Sequence, residues 1–249
     1  RSDVAFESGG TPCAAWLYRP SDVVNPPIVV LAHGFAAFRE LRLDAYAARF
    51  AEAGYAALVF DYRHWGASAG LPRRILDIGK QQADWEAAIE FARSIDGVDT
   101  TRVVAWGSSF GGGHVLRLAA RDRRLAAVGR PGENAMMTSP GAYELVERMG
   151  DMREELLAEN DVAARVAVRV PFYSPGRHAT AIDVPVLVQL AAHDDVTPID
   201  TARAVARRIP KGEVRTYECG HFEPYLDPFF DTIVADQIHF LDRHVGDAR

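Results

Sequence analysis

Short apolar runs alternate along the chain with longer stretches of helical period. The runs predict strands at Ala14–Arg19, Ile28–Ala32, Ala56–Phe60, Arg102–Trp106, Leu125–Gly129, Val184–Leu190 and Glu213–Glu218. Two of them, Ile28-Val29-Val30-Leu31 and Val184-Pro185-Val186-Leu187-Val188, are almost uninterrupted. Strands read this way when helices cover both faces of a parallel sheet. Between the runs, Ile78, Trp85, Ile89 and Ala92 share one face of a helix from about Asp77 to Ser94. Leu43, Tyr46, Ala47 and Phe50 mark an earlier helix that stops at Gly54, and Phe229, Ile233, Ile238 and Leu241 mark a closing one. Strands joined by helical crossovers predict an α/β fold built on a mostly parallel, doubly wound sheet.

The alternation breaks from about Arg130 to Ala179. Pro131-Gly132, Pro140-Gly141 and Pro175-Gly176 punctuate this stretch. Leu145, Val146, Met149 and Met152, then Leu156, Leu157, Val162 and Val166, predict two or three amphipathic helices within it. The expected organisation is a core domain of residues 1–129 and 180–249, with residues 130–179 inserted as a helical cap. Such a cap would lie on the sheet's C-terminal edge, where ligands of open α/β sheets bind.

The 249 residues, 48% of them apolar, are enough to bury a sizeable core. A net charge of −6 argues against nucleic acid as a partner, and Arg73-Arg74 and Arg207-Arg208 read as solvated faces. No apolar run reaches the length of a membrane span. Cys13 and Cys219 are too few for a disulfide framework, although a single bridge between them is left open. No secretory leader opens the sequence, so the expected location is the cytoplasm. A homodimer is compatible with this composition.

Gly107-Ser108-Ser109-Phe110-Gly111 carries the chemistry. Gly-x-Ser-x-Gly is weak alone, but here a strand precedes it and a helical run from His114 to Ala120 follows. That strand–turn–helix is the setting of a nucleophile elbow, in which a strained turn aims the serine Oγ outward. Gly107 and Gly111 are required because side chains there would collide with the packed strand and helix. A tight glycine turn with Ser109 as a helix cap is the bland alternative.

A serine hydroxyl needs an adjacent base, itself oriented by a carboxylate. His221, in Cys219-Gly220-His221-Phe222 after the last strand, is so placed, whereas His64, His114, His178, His239 and His244 read as surface or packing residues. The acid lies in the loop after Val184–Leu190, which holds both Asp194 and Asp195. One is expected to contact His221, the other to cap the next helix or face solvent. Asp194 is preferred, and Thr197 and Pro198 look like that helix's N-cap and first residue. The oxyanion donors are expected to be the backbone N–H groups of Phe110 and of Phe35 in Leu31-Ala32-His33-Gly34-Phe35. His33 is expected to brace this loop rather than move protons.

These segments, with Phe60-Asp61-Tyr62-Arg63-His64-Trp65-Gly66-Ala67-Ser68, resemble the α/β-hydrolase superfamily over essentially the whole chain except the cap. The likeness is to its bacterial esterase branch, related to the prolyl-dipeptidyl-peptidase-like and dienelactone-hydrolase-like groups. It implies the α/β-hydrolase fold, and it selects Asp194, which stands four residues before Pro198 as the triad acid does in the family. It also implies that Asp61 is structural and binds loop amides. Dienelactone hydrolases carry cysteine where Ser109 stands, which weakens that substrate assignment; haloalkane dehalogenases use an aspartate nucleophile, so a serine here implies acyl transfer.

The expected activity is hydrolysis of carboxylic esters of small or medium acyl groups through an acyl-enzyme, with no metal or organic cofactor. A thioesterase or lactonase with the same triad is the alternative, and a non-catalytic binding protein on this scaffold is a further one. A peptidase is disfavoured because the chain lacks those relatives' extra domains. Met136, Met137, Leu145, Val146, Met149, Phe172 and Tyr173 are candidates to line an acyl pocket, each equally suited to bury the cap against the sheet.

Overall fold

A computed structural model of the chain describes residues 1–129 and 172–246. Its centre is one eight-stranded sheet: β1 Ser2–Ser8, β2 Thr11–Tyr18, β3 Pro27–Ala32, β4 Ala56–Phe60, β5 Asp99–Gly107, β6 Leu125–Gly129, β7 Val186–Ala191 and β8 Gly212–Tyr217. The spatial order is β1-β2-β4-β3-β5-β6-β7-β8. Only β1 and β2 run antiparallel to their neighbours, and β3 to β8 are parallel throughout.

The period-two burial of these strands divides the core into two layers. Ile28, Val30, Val103 and Ala105 face one side, which is covered by α2 (Ile78–Arg93), α3 (Phe110–Ala119) and α4 (Ile199–Ala206). Val29, Leu31, Val104 and Trp106 face the other, which is covered by α1 (Leu43–Glu52) and α5 (Phe229–His244). With both faces buried, polar positions within the runs are scarce, which is why the sequence lacks strand-like alternation there. Asp77 caps α2 by accepting from the Lys80 amide at 3.1 Å. α1 gives way to Gly54, whose φ of 95° supplies the left-handed turn expected after a helix.

Three local features differ from the sequence reading. The strand Ser2–Ser8 was not expected; it pairs with β2 through a tight turn at Gly9-Gly10, both at positive φ, and buries only Phe6 and Ser8. β7 begins at Val186 rather than Val184, because Pro185 has no N–H to give the ladder. Pro198, not Thr197, is the N-cap of α4, and its side chain makes no cap bond. Cys13 and Cys219 are separate buried thiols, one on β2 and one after β8, toward opposite ends of the sheet.

Most of the stretch read as a cap lies outside the described residues. Its last part is described: a 3₁₀ helix at Pro175–Ala181 packs on α3 and α4, with Ala179 fully buried. Among the described residues no helix is long and apolar enough to cross a membrane.

Candidate active site

The chain leaves β3 toward β4 on one side and leaves β5 toward β6 on the other, although β3 and β5 are neighbours. This is the topological switch point of the sheet, where a crevice opens at the strands' C-terminal ends. Ser109 sits there. Its φ of 52° and ψ of −120° are unusual for a residue with a side chain, and α3 starts at the next residue.

The flanking glycines explain how the turn is made. A Cβ on Gly107 would lie 2.4 Å from the Gly111 carbonyl oxygen, and one on Gly111 would lie 2.6 Å from the His33 carbonyl oxygen. Strand end, helix start and the loop after β3 therefore meet backbone to backbone. A Cβ on Gly34 would lie 3.1 Å from Ser109 Cβ, so that loop borders the serine directly. Phe35 in the loop and Phe110 at the first position of α3 stack edge to face with centroids 5.8 Å apart. The Phe110 N–H belongs to the first turn, ahead of the helix's own hydrogen-bond ladder.

The loops after β7 and β8 are joined to each other. Ala192 N donates to the Tyr217 carbonyl at 2.8 Å, and His193 N donates to that of Cys219 at 3.0 Å. This brings Asp194 to His221, whose Nδ1 lies 2.8 Å from Oδ2 and 3.0 Å from Oδ1. His221 Nε2 lies 3.1 Å from Ser109 Oγ. With Nδ1–H donating to the carboxylate, Nε2 is left to accept from the serine hydroxyl. Asp194 Oδ1 also accepts from the Val196 and Thr197 amides at 3.0 and 2.7 Å, so the carboxylate is held from both sides. Asp195 is exposed. The three groups border a narrow cleft shared with Leu190, Thr197, Ile199 and Ala202.

Asp61 anchors the loop after β3, accepting from the Arg39 amide at 2.8 Å and the Ala67 amide at 3.1 Å. Burial pushes its carboxyl up to about 7, against the pull of those amides and of the Arg39 guanidinium. His33 donates from Nδ1 to the Gly34 carbonyl at 3.0 Å, and burial holds its ring down to about 4. Both residues therefore brace the loop, as expected of them.

Met136, Met137, Leu145, Val146 and Met149 lie outside the described residues. Phe172 is exposed. Tyr173 is buried against the Phe110 and His114 rings, and its hydroxyl donates to His114 Nδ1 at 2.7 Å. His114 Nε2 donates in turn to Gln81 Oε1 at 3.0 Å. This buried polar cluster under Phe110 was not anticipated, although Gln81, Gln82 and His114 on otherwise apolar helix faces were its signal. Among the described residues no group of three or more His, Cys, Asp or Glu side chains could hold a metal ion.

The serine aminopeptidase, S33, family model matches residues 25–169, more than half of the chain. The chain belongs to this α/β-hydrolase family. The hydrolase is 40% identical to the quorum-quenching protein AidA of Acinetobacter baumannii (strain MDR-ZJ06), over 98% of its own length and 95% of the relative's. It is 36% identical to the thiohydrolase aneE of Aspergillus aculeatus over 42% of its length and 33% of that protein's. In fold the hydrolase matches the α/β hydrolase GrgF from Penicillium sp. sh18, with a TM-score of 0.83 at 20% identity over 98% of both chains.

Proposed function

We propose that this hydrolase is a serine esterase cleaving carboxylic esters of small or medium acyl groups. The observation that carries the reading is the unbroken hydrogen-bond line Asp194–His221–Ser109, set at the sheet's switch point. Ser109 attacks the carbonyl as His221 takes its proton, and Asp194 stabilises the imidazolium that results. The Phe35 and Phe110 amides hold the oxyanion. His221 then returns the proton to the departing alcohol, and water releases the acid from the acyl-enzyme by the same steps.

Losing one oxyanion donor of this kind costs about 2.7–4 kcal/mol of transition-state stabilisation. Met136, Met137, Leu145, Val146, Met149 and Phe172 remain candidates to line the acyl site, whereas the burial of Tyr173 against the Phe110 and His114 rings favours docking over substrate contact. The working location is the cytoplasm.

The thiohydrolase and quorum-quenching relatives favour a second reading for the same site. A triad of this type can silence a signal molecule only by breaking an acyl bond in it, which admits thioesters and lactones beside simple esters. The test is hydrolysis of p-nitrophenyl butyrate by wild type and Ser109→Ala, with kcat expected to fall by about six orders of magnitude. The same panel run with acyl thioesters and lactones ranks the substrate classes by kcat/KM.

A further inference from the structure

Ser108, beside the nucleophile, takes no part in the line of three residues. Its side chain is buried, and its Oγ accepts a hydrogen bond from the Tyr225 hydroxyl at 2.5 Å. Tyr225 lies four residues beyond His221, at the end of the 3₁₀ turn Glu223–Tyr225. The rest of that turn is tied down as well. Gly220 N donates to Glu223 Oε2 at 2.5 Å, the Tyr46 hydroxyl donates to the Pro224 carbonyl at 2.7 Å, and Arg42 Nε donates to the Tyr225 carbonyl at 3.0 Å.

The arrangement has a mechanical meaning. Ser109 sits in the turn after β5 and His221 in the loop after β8, and two strands, β6 and β7, stand between β5 and β8 in the sheet. Any play between those loops changes the Ser109–His221 distance, and a displacement near 1 Å can cost about a hundredfold in rate. The Tyr225–Ser108 bond spans this gap directly, joining the residue before the nucleophile to the turn that follows the base.

We propose that Tyr225 and Ser108 are a positioning pair whose hydroxyl–hydroxyl bond sets the reach of His221 Nε2 to Ser109 Oγ. This rests on the triad reading above. Neither residue touches the reacting atoms, so the loss of their bond acts on turnover rather than on substrate binding.

The test is a double-mutant cycle of Tyr225→Phe and Ser108→Ala, with Ser109→Ala as reference. kcat and KM on p-nitrophenyl butyrate and the rate of fluorophosphonate labelling are read for each variant, and thermal melting confirms folding. Each single variant is expected to lose about tenfold in kcat and in labelling rate, the scale of one hydrogen bond, with KM within about twofold. The double variant is expected to fall no further than either single one, because the same bond is lost once. Should Ser108→Ala fail to fold, Tyr225→Phe, which keeps the ring and deletes only the hydroxyl, still reads kcat against KM.

Wild-type kcat and labelling in the single variants, a loss confined to KM or melting temperature, or losses that multiply in the double variant would each overturn the pairing. The triad reading fails separately, if Ser109→Ala keeps its activity and its labelling.

Discussion

Replacing Gly107 with alanine probes the elbow without touching a reacting group. The added Cβ would sit 2.4 Å from the Gly111 carbonyl oxygen, 2.5 Å from its carbon and 2.8 Å from the Gly112 nitrogen. A carbon and a carbonyl oxygen rest at about 3.3 Å or more, so roughly 0.9 Å of overlap must be relieved. All three atoms are backbone, so no side chain can rotate away, and the first turn of α3 must move. Overpacking of this kind costs about 1–3 kcal/mol. At about 2 kcal/mol, a chain of this size melts roughly 4–8 °C lower.

The same movement would lengthen the 3.1 Å contact from Ser109 Oγ to His221 Nε2 toward about 4 Å, beyond hydrogen-bond reach. kcat should then fall by about a hundredfold. Scanning calorimetry and p-nitrophenyl butyrate kinetics read the two effects. Gly79→Ala is the control: its nearest neighbour would be a side-chain oxygen of Asp77 at 3.3 Å, and it lies inside α2. There, in the first turn, the Asp77 capping oxygen must give by a few tenths of an ångström, so stability should stay within about 0.5 kcal/mol and kcat should be unchanged. A Gly107→Ala protein with the melting temperature and kcat of wild type would refute the close backbone contact on which the elbow argument stands.

Asp194→Asn should lower kcat by about four orders of magnitude through loss of the correct His221 tautomer, while Asp195→Asn, at an exposed position, should change it less than twofold; an equal or larger loss at Asp195 would reassign the acid. Stability should fall as pH drops from about 6.5 toward 4, because burial keeps His33 (about 4) and His114 (about 3) neutral while the unfolded chain gains their protons. Asp61, raised to about 7, acts in the opposite sense, since the folded protein holds its proton between about 4 and 7 and that stability is lost as pH rises. Asp61→Asn should therefore steepen the acid-side fall in urea midpoint, and an unchanged slope would show that Asp61 does not carry that proton. The Cys13 thiol, which burial and the neighbouring Asp84 push up to about 12, should stay unreactive to a thiol reagent until the protein is unfolded, and rapid native labelling at Cys13 would contradict its burial.

The doubly wound core was legible because burial on both faces leaves a plain mark, the unbroken runs at Ile28–Leu31 and Val186–Val188. Ser2–Ser8 was missed for the opposite reason. It is an edge strand that buries only Phe6 and Ser8, and its clearest signal is the Gly9-Gly10 turn rather than its own pattern. The meeting of Ser109, Asp194 and His221 at one sheet edge was legible because each follows a strand end.

Contacts between side chains that are distant in sequence left no such mark. Ser108 and Tyr225 are 117 residues apart, and nothing local to either marks the bond between them. Tyr173 is a related case, an aromatic residue placed by pattern near a pocket that instead packs beneath Phe110 and bonds to His114. Thr197 has the composition of a cap, yet the loop spends its amide on Asp194, and the helix begins after Pro198.

The most direct test of the account is to treat the protein with a fluorophosphonate and locate the adduct by mass spectrometry of its peptides. The account predicts a single modification on Ser109, absent in Ser109→Ala and greatly slowed in a His221→Ala variant. Modification of Ser108 instead, or labelling that survives the loss of His221 undiminished, would contradict it.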